Sequence, residues 1–321
     1  MIPSESTTKS ARRTQPNSSP LRWALRGLVA LLVLAAVAAL GFYFRPVSSL
    51  NARTYLQEHF AGFENHTVKV DGYRVHYLAM GPAGGSPVVL VHGLGGRAED
   101  WWNVAPVLSK AGFRVYMPDL LGFGRSQQPA DFSYSVRDQA AVVVHFMDVL
   151  GIKQADVAGW SMGGWIAQLI ASDDPQRVSR LILIDSVGLN IKPSWDTNLF
   201  VPTSPHELDE LDALLMPNPP SIPPFVARDY LRLFRRNGWV IKRALATMLT
   251  GHDVTDNLLP QLKMPVLIIW GSLDQIAPVE QAQTMHHLIP QSEIQVIPGC
   301  GHMVPLQCSA EMDPTALSFI Q

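Results

Sequence analysis

Several stretches of this chain are short, continuously apolar and free of the alternation that marks a half-wet strand. Pro87-Val88-Val89-Leu90-Val91, Leu181-Ile182-Leu183-Ile184 and Val266-Leu267-Ile268-Ile269-Trp270 are the clearest. A strand without a polar side has to be covered on both faces, which a parallel sheet between two layers of helices provides. Helical periodicity at 136–150 and 162–171 falls between such runs, as crossover helices require. Strands are expected at 67–70, 73–79, 87–91, 113–117, 155–158, 181–184, 266–270 and 294–296, the first two as an antiparallel hairpin. The pattern predicts one doubly wound α/β domain on a mostly parallel, eight-stranded sheet.

The rhythm breaks between residues 189 and 255. Eight of the 25 prolines fall from Pro193 to Pro224, and a helical stretch at 225–249 follows. This reads as a helical cap inserted after strand six, dividing the core into 66–188 and 256–321. With 47% apolar and 16% charged residues in 321, disorder, a collagen repeat and a coiled coil are excluded. A net charge of −2 supplies no basic field for nucleic acid.

The front of the chain reads differently. Residues 1–26 look like a disordered basic tail. Residues 27–44 carry no charge and end in Phe42-Tyr43-Phe44 before Arg45-Pro46. Eighteen helical residues span about 27 Å, roughly a bilayer core, and aromatic residues suit the interface. A cleaved signal peptide is the alternative, with Ala36-Val37-Ala38 as its processing site. The run exceeds the usual apolar length of such signals, so a retained single-pass anchor is expected. Lys9, Arg12, Arg13, Arg22 and Arg26 precede it, which puts the N-terminus in the cytoplasm and the rest of the chain across the membrane, periplasmic if bacterial. Residues 45–65 form a connector.

Gly159-Trp160-Ser161-Met162-Gly163 matches G-x-S-x-G. The pattern alone is weak, but a strand enters it and a helix leaves it. Such a turn needs small neighbours and lifts the Ser161 hydroxyl above the sheet. A serine nucleophile needs a base, and the base an orienting acid. Asp274 follows the strand at 266–270 and His302 follows that at 294–296, both at carboxyl ends, where such sheets gather their sites. Asp185, after the strand at 181–184, is the rival acid. Two amides must stabilise a tetrahedral oxyanion; Met162 N–H supplies one, and Leu94 N–H, within His92-Gly93-Leu94-Gly95-Gly96, the other. His92 reads as a structural hydrogen-bonder. No dinucleotide or phosphate-loop pattern follows these glycines, so no cofactor and no metal are expected.

With these motifs in view, residues 66–321 resemble the α/β-hydrolase superfamily. The match rests on His92–Gly96, D-x-x-G-x-G-x-S at Asp119–Ser126, GWSMGG at 159–164, WGSLDQIAP at 270–278 and GCGHMVP at 299–305. The resemblance implies an α/β-hydrolase fold and serine hydrolysis through Ser161, Asp274 and His302. The anchor, the cap and the W-G-x-x-D and C-G-H endings are similar to the monoacylglycerol lipase branch (α/β-hydrolase domain-containing protein 6-like). The segment after His302 departs from that pattern by lacking Glu-x-Pro.

Carboxylic-ester hydrolysis of a lipid, such as a monoacylglycerol, is the leading expectation. A carbon–carbon bond hydrolase and an inactive scaffold are the alternatives. Trp160, Phe200, Phe225 and Phe234, with Leu94, Leu199, Leu214 and Leu215, are candidates for an apolar acyl tunnel. Arg228, Arg232, Arg235 and Arg236 make one face of the cap helix basic, a solvated face or a lipid-docking one. Cys300 and Cys308 read by default as buried free thiols; an extracytoplasmic domain opens the possibility of a bridge.

Overall fold

The computed structural model describes residues 20–321. It opens with α1 (Pro20–Phe44) and α2 (Pro46–Phe60). Most of the basic tail expected at 1–26 lies outside the described residues. Residues 20–26 do not: they are the first two described turns of α1. Arg22–Phe44 is long and apolar enough to cross a membrane, and none of it is buried against the protein. The connector is likewise a helix for most of its length, started by Pro46.

The hairpin β1 (Glu64–Val70) and β2 (Tyr73–Met80) leads into β3 (Pro87–Val91), α3 (Val104–Lys110), β4 (Arg114–Pro118), α4 (Val136–Val149), β5 (Ala155–Trp160), α5 (Met162–Asp173) and β6 (Val178–Ile184). The cap helices α6 (Pro205–Leu215) and α7 (Pro224–Met248) follow, then β7 (Val266–Gly271), α8 (Glu280–Leu288), β8 (Glu293–Ile297), α9 (Val304–Gln307) and α10 (Ser309–Ile320). All eight expected strands are present. β1 begins at Glu64, ahead of expectation, because Glu64 pairs with Ala79 and its carboxylate takes Arg114 at 2.6 and 2.7 Å. β4 starts one residue late, because Phe113 N–H closes α3 on Leu108 O at 3.2 Å.

The strand order is β1-β2-β4-β3-β5-β6-β7-β8. β2 runs antiparallel to both neighbours and the rest is parallel. Two apolar layers cover the sheet, one including Phe146, Trp165, Ile166 and Trp270, the other Trp101, Leu78, Met117 and Ile269. β3 sits between β4 and β5, so the loops leaving β3 and β5 diverge at their carboxyl ends. A crevice opens there, at the point where such sheets bind ligands.

Candidate active site

Ser161 occupies the turn between β5 and α5 with φ 56° and ψ −120°. A side chain rarely adopts this conformation, and holding it costs on the order of 1–3 kcal/mol. The surroundings enforce it: Ser161 N–H donates to Ile184 O at 2.9 Å, and its carbonyl accepts from Gly164 at 3.0 Å. The turn also packs backbone on backbone, since a Cβ at Gly163 would collide with the carbonyl of Val91. The glycines of G-x-S-x-G are therefore required by space.

The structure brings Ser161, His302 and Asp274 together. His302 Nε2 lies 2.9 Å from Ser161 Oγ, and Nδ1 lies 2.7 Å from Asp274 Oδ2. All three are buried. The second carboxylate oxygen of Asp274 accepts the amides of Ile276 and Ala277 at 2.8 and 2.9 Å, which fixes the orientation of the acid. His302 is held on both sides of its own peptide: its N–H donates to Leu215 O of the cap at 2.9 Å, and its carbonyl accepts Trp160 Nε1–H at 2.7 Å. Cys300 and Cys308 form a disulfide closing the loop that carries His302. This corrects the default expectation of free thiols. The unusual segment after His302 folds as α9, and Cys308 caps α10.

Asp185, the rival acid, is fully buried beside this chain, but Asp274 is the carboxylate on His302. Asp185 Oδ1 accepts Gly271 N–H at 2.8 Å, and Oδ2 has no partner among the described residues. Burial, then the nearby charge of Asp274, pushes the Asp185 carboxyl well above the usual carboxylate range. Asp185, Asp274 and His302 offer ligand atoms within 4.8 Å of one another. The Asp274 and His302 atoms of this cluster are already engaged with each other and with backbone amides.

The amides of Leu94 and Met162 donate to no other group among the described residues. Gly93 packs against Ser161, a Cβ there coming within 3.1 Å of the serine Cβ. His92 ties this loop down, with Nδ1 2.8 Å from Gly93 O and Nε2 accepting Leu120 N–H at 3.0 Å. The Asp119–Ser126 motif is a neighbouring brace. Asp119 accepts from Ala98 and Arg125 amides at 2.6 and 2.8 Å and meets His76 Nδ1 at 2.6 Å. Burial opposes its charge, but these donors and the adjacent histidines outweigh burial and lower its pKa.

Above Ser161 lies a cavity of about 840 Å³. Trp160, Leu94, Phe200, Leu215 and Phe234 line it, as the sequence suggests. Phe225 does not: it stacks on Tyr43 at 5.9 Å and tilts against Phe42 at 6.0 Å, outside the cavity. Nor do Leu199 and Leu214. α7 instead presents Val226, Tyr230, Leu233, Asn237 and Ile241, a face one residue round from Phe225. Helical spacing from Phe234 was the available signal. The cavity also takes Val47, Asn51 and Tyr55 from α2, which sequence reasoning missed altogether.

A family model described as the alpha/beta hydrolase fold matches residues 86–235 and 235–307, so the chain belongs to the α/β-hydrolase family. Lipase 1 of Psychrobacter immobilis is 28% identical over 258 residues, 77% of this chain and 80% of its own. A 2-hydroxymuconate semialdehyde hydrolase of Pseudomonas putida is 30% identical over 257 residues, 74% of this chain and 86% of its own. Among solved structures, a membrane phospholipase A described as a bacterial virulence factor superposes with a TM-score of 0.78 at 28% identity, covering 92% of this chain and 98% of that one.

Proposed function

We propose that this chain is a membrane-anchored serine hydrolase that cleaves the acyl esters of lipids, monoacylglycerols among them. The observation that carries the reading is the unbroken chain from Asp274 through His302 to Ser161 at the floor of the cavity. Ser161 Oγ attacks the ester carbonyl carbon while His302 Nε2 takes its proton, and Asp274 holds the Nδ1–H tautomer. The amides of Leu94 and Met162 receive the oxyanion. His302 returns the proton to the leaving alcohol, and a water then releases the acid from Ser161 by the same steps.

The lipase and phospholipase relatives support an acyl-chain substrate, and a cavity of about 840 Å³ is large enough for one. The Cys300–Cys308 bridge suits an oxidising compartment, in keeping with a catalytic domain on the far side of the membrane from the basic N-terminus. The test is a ladder of p-nitrophenyl esters from C2 to C16 beside monoacylglycerols, with Ser161→Ala as control. Activity rising with chain length supports the reading, and an optimum at C2 overturns the acyl specificity. The 2-hydroxymuconate semialdehyde relatives favour a second reading, carbon–carbon cleavage by the same triad. Faster turnover of a dienoate ring-fission product than of any ester would establish it. A fluorophosphonate that fails to label Ser161 would leave only a binding role.

A further inference from the structure

Val47, Asn51 and Tyr55 stand at i, i+4 and i+8 on α2 and form one wall of the cavity over Ser161. Val47 is the third residue after Phe44, where the apolar span ends. Three residues reach at most about 10 Å, so the cavity rim lies next to the end of the span. The cap meets the span at the same place. Pro223 and Val226 line the cavity, while Phe225 between them packs on Tyr43 and Phe42.

This junction is fastened. The buried Asp229 carboxylate of α7 accepts the first-turn amides of α2, Val47 N–H at 3.1 Å and Ser48 N–H at 3.4 Å. Arg232 holds Asp229 at 2.8 Å and donates to Ser48 Oγ at 3.2 Å. Arg228 donates to Tyr43 O at 3.3 Å and lies 5.5 Å over its ring. Two of the arginines read as a solvated or lipid-docking face thus join cap to anchor instead, while Arg235 and Arg236 stay exposed. At the other end of α2, buried Glu58 pairs with Arg125 at 2.9 Å.

We infer that the rim formed by Val47, Asn51, Pro223 and Val226 is a portal at the bilayer surface. The acyl chain of a membrane-resident lipid ester passes through it sideways from the leaflet to Ser161. The inference rests on the lipid-ester reading above and adds the route. A chain entering this way exchanges one apolar environment for another and never loses its hydrophobic stabilisation to water.

The test moves the portal off the membrane without touching the cavity. A twelve-residue Gly/Ser linker inserted between Phe44 and Arg45, about 20 Å in mean span, is combined with Phe225→Ser and Arg228→Ser, which free the cap from Tyr43 and Phe42, and leaves the Asp229 and Glu58 fastenings of α2 in place. The full chain, with and without the linker, is reconstituted in phosphatidylcholine nanodiscs containing a fluorogenic long-chain acyl ester, and assayed in parallel on p-nitrophenyl butyrate. The expected result is a fall of roughly ten-fold or more on the bilayer ester, through lost effective concentration at the mouth, with butyrate hydrolysis retained. Unchanged hydrolysis of the bilayer ester overturns the portal. Should the linker variant lose both activities, the Ser161→Ala full chain with a diazirine-bearing phosphatidylcholine decides: adducts at 47–51 and 220–226 uphold the portal, and adducts confined to other faces overturn it. If the wild-type chain hydrolyses neither substrate, the hydrolase reading falls, and the cross-linking still judges the portal.

Discussion

At the carboxyl edge of the sheet, main-chain hydrogen bonds fix each member of the proposed triad, whereas the cap and N-terminal helices that roof them are joined mainly by side chains. Ser161 is pinned between β6 and α5, Asp274 by two amides, and His302 through both sides of its own peptide. Above them, α7 meets α2 through Asp229 and Arg232, and meets α1 through Phe225 and Arg228. A backbone-held site tolerates no displacement, since misplacement by about 1 Å costs on the order of 100-fold in rate. A roof held by side chains can be reshaped residue by residue. Floor variants should therefore abolish chemistry, and roof variants should redirect it.

The largest effects test the floor. Ser161→Ala and His302→Ala should each lower kcat by roughly four decades or more with an unchanged melting temperature. Asp274→Asn should cost about 10⁴-fold by stabilising the wrong imidazole tautomer, whereas Asp185→Asn should stay within several-fold. Burial raises the Asp185 carboxyl, and its Oδ2 has no partner to lose among the described residues, so an amide should be tolerated there. Steady-state kinetics of the two aspartate variants, side by side, decide the matter. The reverse ranking would move the orienting acid to β6.

This division also explains what could be read from the residues. The floor was legible because each side chain of the proposed triad follows a strand, in a motif whose glycines the close backbone packing requires. The choice of Asp274 over Asp185 followed from its place after β7, and the geometry on His302 agrees. The roof was poorly legible. Phe225 and Val226 are both apolar cap residues, and only the helix phase, set by contact with α1, decides which one faces the cavity. The wall contributed by Val47, Asn51 and Tyr55 left no trace, because α2 lies more than 100 residues from Ser161 in the chain. The bridge between Cys300 and Cys308 depended on compartment, which spacing does not encode.

A mid-sized effect probes how the floor is braced. Replacing Cys300 and Cys308 together by Ser should cost roughly 2–3 kcal/mol, the loop-closure value for so short a ring, read as a drop in melting temperature. Well below that temperature the loss of kcat should be smaller, because Leu215 O and Trp160 Nε1 still hold His302. A kcat loss matching that of His302→Ala would mean that the disulfide alone orients the histidine.

Next in size is a pH effect where α2 is fastened to the core. Burial, then the charge of Asp119, pushes Glu99 up to about 7 despite Arg125 at 2.7 Å. The folded state then holds a proton that the unfolded chain releases above its ordinary value of 4.5. Stability from this group is fully present below that value and falls as the pH rises towards about 7, by on the order of 2 kcal/mol. Glu64 acts in a lower window and with the opposite sign, since its hydrogen bond to Arg114 holds it at about 2. Glu99→Gln should flatten the decline in melting temperature between pH 5 and 7, roughly that interval. A wild-type protein equally stable across it would show that Glu99 is ionised throughout.

The smallest effect tests whether the roof sets chain length. Leu211 of α6 is buried and lines the cavity; Leu211→Trp fills part of the space without approaching the reacting atoms. If the added ring displaces about two methylenes of substrate, at about 0.8 kcal/mol each, kcat/KM for the longest ester the wild type accepts should fall roughly fifteen-fold. The loss should shrink with each carbon removed from the chain, and the optimum should move to shorter esters. This gradient separates a roof that selects by volume from one that merely covers the site. Uniform loss across the ladder would mean that the substitution had disturbed Leu215 O, four residues along the same helix, and through it His302. In that case the roof would be part of the floor's fastening, and the division drawn between them would fail at α6.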